Sequence, residues 1–182
     1  MRRLVTVSLA FLVSVVTGYA AAGHSYVGVK ACTPCHRTEK QGKQQPIWQA
    51  SQHAKAFATL KTPEAQKVAE KAGVKGAASE AEQCLKCHVT AAGVPAAELK
   101  PTFSKEDGVQ CETCHGPGSD YKAMSVMKDK AKAIAAGLIP ISVADGSAEK
   151  KCKTCHNPQS PTFKSFNFKE AWQKIAHPIP KA

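Results

Sequence analysis

The chain has 182 residues, a formal charge of +11 and an aromatic content of only 6%. One domain is expected at this length, and so few aromatics, with little strand-type alternation, make a poor prospect for a core built from side chains alone. The lysines are scattered and include no basic run interleaved with aromatics, so a nucleic-acid interface is excluded and solubility, with steering of acidic partners, is their expected use.

Residues 1–22 read as an export signal: "MRR" is a basic start, "LVTVSLAFLVSVV" an apolar stretch and "AAA" at 20–22 a small-residue cleavage site. The apolar stretch is short for a membrane span of about 20 residues, and no later segment is apolar enough to be one. Cleavage after Ala22 makes 23–182 the mature domain, placed in the periplasm or exported to the cell surface and beyond.

The mature chain opens with His24 in "GHSYVG" and reaches "CTPCH", with Cys32, Cys35 and His36. Next, "KQQPIWQASQHAKAFATL" favours a helix. Pro46 stands near its start, and Ala50, His53, Ala54 and Phe57 follow at i, i+3, i+4 and i+7, so His53 is expected to point inward with Phe57. "TPEAQKVAEKAG" reads as a short helix capped by Thr62 and Pro63 and stopped at Gly73. Ser79 and Glu82 suggest a capping box that puts "CLKCH" (Cys84, Cys87, His88) on a helix, and the proline-interrupted stretch at 91–103 reads as a connector. "CETCH" (Cys111, Cys114, His115) runs into "GPG" at 116–118, a tight turn with no side-chain bulk. "SDYKAMSVMKDKAKAIAAG" is expected to be helical from Ser119 or Asp120 to Gly137, with Met124, Met127, Ala131 and Ile134 on one face. "CKTCH" (Cys152, Cys155, His156) is followed by a second proline-rich connector. "NFKEAWQKIAHP" starts at Asn167, has Glu170 three residues on and stops at Pro178, with His177 at its end.

All eight cysteines and four of the seven histidines are consumed by one repeated unit, C-x-x-C-H. This is the c-type haem attachment signature. Two thiols three positions apart reach the two vinyl groups of one porphyrin, and the adjacent imidazole ligates the iron. Zinc ribbons also use paired C-x-x-C but need no histidine after every second cysteine, and disulfide frameworks have no fixed five-residue unit. The reading is therefore four covalent haem c groups, each with its iron, one to roughly forty mature residues, with porphyrin faces supplying much of the buried apolar surface. Their propionates offset part of the positive charge. The fold class that follows is mainly α: short helices and loops wrapped around four closely packed haems, with little or no sheet.

Four bis-histidine haems need four distal imidazoles, and three histidines remain: His24, His53 and His177. His53 and His177 are the stronger candidates, while His24 lies next to the mature terminus, where order is often lost. For the fourth iron the sequence leaves several fates open. Met124 or Met127 could ligate it, which would raise its potential, although methionines on an apolar stripe also pack well against a porphyrin without ligating. An open or water-bound iron, a lysine, or a histidine from a neighbouring subunit are the others, so subunits could associate through shared ligands.

"YVGVKACTPCH", then "WQASQHAKAFATL", "CLKCH", "GVQCETCHGPG" and "CKTCH" together resemble the tetrahaem cytochrome c-554 family of nitrifying bacteria and its relatives in metal-reducing and other anaerobic bacteria. The resemblance implies a mainly helical fold with closely stacked haem pairs, an electron-transfer role suited to anaerobic respiration, and one five-coordinate haem on the second motif, here Cys84, Cys87 and His88. In the family a distal histidine follows shortly after the Gly-Pro-Gly of the third motif. This chain has "YKAMSVM" there and His24 upstream instead.

The function expected is electron transfer between a donor and an acceptor, such as other cytochromes or a quinol dehydrogenase, rather than catalysis. The alternative is a haem enzyme reducing nitric oxide, peroxide or another nitrogen oxide at an open iron, although no histidine, arginine or carboxylate cluster can be assigned to a distal pocket.

Overall fold

Glycine and proline interrupt this chain so often that no helix grows long among the described residues. The computed structural model describes residues 23–179, so the leader at 1–22 lies outside the described residues. Among those described, ten α-helices and no strand form; the one β contact is an isolated parallel bridge between Tyr26 and Leu99. The helices are α1 Val29–Cys32, α2 Gln44–Ala50, α3 Ala56–Thr59, α4 Pro63–Lys71, α5 Glu82–His88, α6 Cys111–His115, α7 Met124–Met127, α8 Lys130–Ala135, α9 Ser147–Lys153 and α10 Phe168–Ile175. The longest, α4, has 9 residues. Helices this short do not hold themselves together in water, so tertiary contacts must fix them.

Several helix ends follow the sequence signals. The Thr62 side chain accepts from the Ala65 amide with Pro63 behind it, which starts α4. Asn167 accepts from the Glu170 amide and donates to the Glu170 carboxylate, which starts α10 and leaves His177 just beyond its end. "CLKCH" rides on α5 as expected, but Ala81 is its N-cap and makes no side-chain bond, so Ser79 does not complete a capping box.

Two expected helices are broken. The Ser51 hydroxyl donates to the Trp48 carbonyl at 2.6 Å and accepts the His53 amide at 3.2 Å. This local bonding competes with the helix; the chain turns extended at Ser51, then resumes as a 3₁₀ turn over His53–Lys55 and as α3. Further on, Asp129 accepts from the amides of Ala131 and Lys132 and so starts α8 afresh. That restart rotates the expected face out of register. Met124 is 61% exposed and Ile134 41%, Ala131 is exposed, and Ala133 is the buried residue of α8.

The largest side-chain cluster joins α3, α4 and α5 through Phe57, Leu60, Ala69, Ala78 and Val89, with Cys84 and Leu85 packed against it. Of the eleven buried hydrophobic residues described, four are alanines. That is a thin core, as the composition foretells. Backbone approaches compensate: Gly28 has φ +78, and a Cβ there would stand 2.8 Å from Phe103 Cα, so the stretch entering α1 lies directly against the 102–103 backbone.

Candidate haem sites

All eight cysteines are free thiols, in four C-x-x-C pairs. Each pair ends on or beside a helix: α1 for Cys32, α5 for Cys84 and Cys87, α6 for Cys111 and Cys114, α9 for Cys152. Among the described residues no group of three or more Cys, His, Asp or Glu side chains converges to hold a metal ion, so the paired cysteines do not close into tetrahedral zinc sites.

The helices bring the motifs together in alternation. The Cys32 and Cys111 thiols lie within hydrogen-bonding reach, and that contact, followed by burial, pushes the Cys32 thiol well above the usual range. Cys87 is pushed up to about 11 by burial and then by Cys155 beside it. Cys114 is likewise pushed up to about 11, by burial first, with Cys152 and Cys155 within electrostatic reach. Motif one therefore sits against motif three and motif two against motif four, with motif three within electrostatic reach of motif four.

The imidazoles are arranged around these pairs. The rings of His115 and His177 face each other with centroids 6.0 Å apart, and those of His53 and His156 with centroids 6.1 Å apart. Two iron–nitrogen bonds of about 2 Å, plus about 1 Å from nitrogen to ring centre on either side, require roughly 6 Å. The centroid separation of both pairs is of that size. Burial holds all four imidazoles below their ordinary pKa, and the neighbouring histidine adds to this at His53 and His177. Neutral imidazole is the form that binds a metal.

Nδ1 contacts turn the rings. His115 Nδ1 meets the Ile139 carbonyl at 3.0 Å, and His88 Nδ1 the Ala56 carbonyl at 2.8 Å, which leaves Nε2 without these contacts in each. His156 is stacked on Phe166, centroids 4.7 Å apart. His36 Nδ1 is buried with no protein partner, and His36 is within electrostatic reach of both His115 and His177. Thiol pairs, an adjacent imidazole and opposed imidazoles at iron-bridging distance fit covalent haem.

The remaining candidates stand apart from these pairs. His24 Nδ1 meets Asp120 Oδ2 at 2.7 Å, and its ring lies over Gly137. Nothing brings it opposite His36 or His88 in the way the other two pairs are opposed. Met124 points largely into solvent, and Met127 is half-buried.

Sequence reasoning missed the residues that hold this arrangement. The His53 carbonyl accepts the Val109 amide at 3.0 Å, and Trp48 Nε1 donates to the Val109 carbonyl at 2.7 Å. Gly108, φ +66, permits this approach, since a Cβ would stand 2.6 Å from the His53 oxygen. Thr90, just past motif two, pairs its hydroxyl with that of Thr113 inside motif three at 2.6 Å. Inside the same motif, Glu112 is 2% exposed and accepts the amides of Val27, Gly28 and Gly118. The only sequence sign of Glu112 is an acid at a motif position where the other three units hold Thr33, Leu85 and Lys153.

Residues 31–116 match the family described as "Cytochrome c554 and c-prime", a span that contains the first three motifs. Cytochrome c-554 of Nitrosomonas europaea is 28% identical over 147 residues, covering 75% of this chain and 59% of that protein, so the chain spans about three fifths of the relative's length. No solved structure matches. With the helical architecture and the opposed imidazoles in hand, the chain is similar, over residues that include its first three C-x-x-C-H motifs, to the cytochrome c-554 family.

Proposed function

We propose that this protein carries four covalently attached haem c groups and moves electrons between redox partners outside the cytoplasm. The observation that carries the reading is the pair of opposed imidazole couples, 6.0 and 6.1 Å between centroids, each beside its own C-x-x-C thiols. On this reading His115 and His177 would hold the iron of a haem attached at Cys111 and Cys114. His156 and His53 serve the haem on Cys152 and Cys155. His36 and His88 are the proximal ligands of the haems on Cys32 with Cys35 and on Cys84 with Cys87. The bound haem supplies a one-electron ferric/ferrous couple. The protein's part is to hold the ligating imidazoles neutral and turned by their Nδ1 contacts, and to set motif one beside motif three and motif two beside motif four. Low potentials go with the bis-histidine sites.

His24 is the remaining imidazole for an iron still short of a ligand; its Nδ1 is held by Asp120, which leaves Nε2 free to coordinate. Donor and acceptor are other redox proteins, and export as a leader-bearing chain places the exchange in the periplasm or at the cell surface. Among the described residues no helix is long and apolar enough to cross a membrane.

A second reading, reduction of a small ligand such as nitric oxide, attaches to the second motif, where His88 is seated beside the apolar cluster of Phe57, Leu60 and Val89. Haem stoichiometry and magnetic resonance of the ferric holoprotein test both. Four haems per chain with at least two low-spin bis-histidine signals are expected. Fewer than four overturns the carrier as described, and a spectrum indifferent to nitric oxide and cyanide removes the second reading.

A further inference from the structure

The carboxylate of Glu112 stands inside the third attachment motif, between Cys111 and Cys114, and is almost completely buried. One oxygen accepts the Val27 amide at 2.8 Å and the Gly118 amide at 2.6 Å; the other accepts the Gly28 amide at 2.7 Å. These partners come from the segment entering motif one and from the Gly-Pro-Gly turn leaving motif three. A Cβ on Gly118 would stand 3.1 Å from a Glu112 oxygen, so the turn's lack of side chains is what admits the carboxylate. Cys32, four residues past Gly28, lies against Cys111, the residue before Glu112. The charge is thus fixed between the attachment points of two haems, acceptor-only towards its three amides, and out of reach of solvent screening.

Holding a segment in place does not require a charge; a buried amide or hydroxyl makes the same kind of contact. Next to it, Gln110 ties the Val29 amide to the Ser104 carbonyl with a neutral side chain. What the carboxylate adds is a fixed negative potential at the haem pair. Ferric haem carries one more positive charge than ferrous, so a buried anion beside it favours the oxidised form.

We propose that Glu112 is a potential-setting residue: its buried carboxylate lowers the reduction potentials of the two haems attached at Cys32 with Cys35 and at Cys111 with Cys114. This pair would therefore give up its electrons more readily than the same pair without the buried charge.

The inference rests on the four-haem reading, and the experiment separates the two. Haem content of the wild-type holoprotein is measured first; a count below four overturns both. Spectropotentiometric titration then compares wild type with Glu112→Gln and Glu112→Asp, all at equal haem loading. Glu112→Gln is expected to favour reduction of two of the four haems by at least tenfold in equilibrium constant, about 59 mV for a one-electron couple. Glu112→Asp keeps the charge on a shorter stem, so it lowers thermal stability while leaving the four potentials near wild type. Equal shifts in both variants mark a purely structural role and overturn the proposal, as does an unchanged titration in Glu112→Gln. If Glu112→Gln does not load four haems, redox-difference infrared spectra of protein with ¹³C-labelled glutamate carboxyls decide. A carboxylate band that moves on haem reduction in wild type and is missing in Glu112→Asp supports the charge; no such band overturns it.

Discussion

An imidazole ligates iron through a lone pair, and the folded chain keeps that lone pair free at His53, His115, His156 and His177 by burying each ring. The most direct consequence concerns His53. His53→Met replaces a nitrogen ligand by a thioether, so one haem, the one on Cys152 and Cys155, should shift to higher potential and lose its bis-histidine signal while the other three are unchanged. Redox titration followed by magnetic resonance checks this, and four unaltered haems would reduce His53 to packing. The pairing of His53 with His156 could not be read from the sequence, because 102 residues of chain lie between them. What the sequence did show was the supply of imidazoles, since every motif names its own proximal histidine and the remainder can be counted. Glu112 was illegible for a different reason: its three partners are backbone amides, which leave no trace in residue type.

Among the elements, the cap-started helices were legible and the long ones were not. Thr62 and Asn167 start α4 and α10 where their side chains foretell, because a cap is a contact within one turn of chain. The run through His53 satisfied a helical period yet broke at Ser51, whose hydroxyl bonds on both sides outcompete the next helical turn. The break is useful, because it lets the His53 carbonyl face the Val109 amide and turns the ring towards His156. α10 does the corresponding service for His177. Asn167→Ala removes both cap contacts, at a cost of about 1 kcal/mol and roughly 2–4 °C in melting temperature for a chain of this size. A calorimetric or absorbance melt of the holoprotein measures it. The haem on Cys111 and Cys114 should be the first to change its spectrum on heating, since its distal ligand hangs from that helix.

Across the whole molecule, 25 basic residues outnumber 14 acidic ones, and the described ion pairs, among them Lys61 with Glu106 at 2.6 Å and Lys153 with Glu149 at 2.6 Å, are exposed and of little energetic weight. That excess acts at a distance. The second-order rate of electron exchange with an acidic redox protein should fall steeply as ionic strength rises, and exchange with a basic one should rise or stay level. Stopped-flow measurement over a salt series gives the sign; identical slopes for both partners would exclude steering. The alternation of motifs has a further consequence, for the birth of the protein. Because motif one docks on motif three and motif two on motif four, the two pairs close in turn along the chain: residues up to Gly118 hold both members of the first pair, while motif two still waits for motif four. If the motifs carry haem as proposed, the thiols of motif two therefore stay open to attachment until the last pair of cysteines has been made.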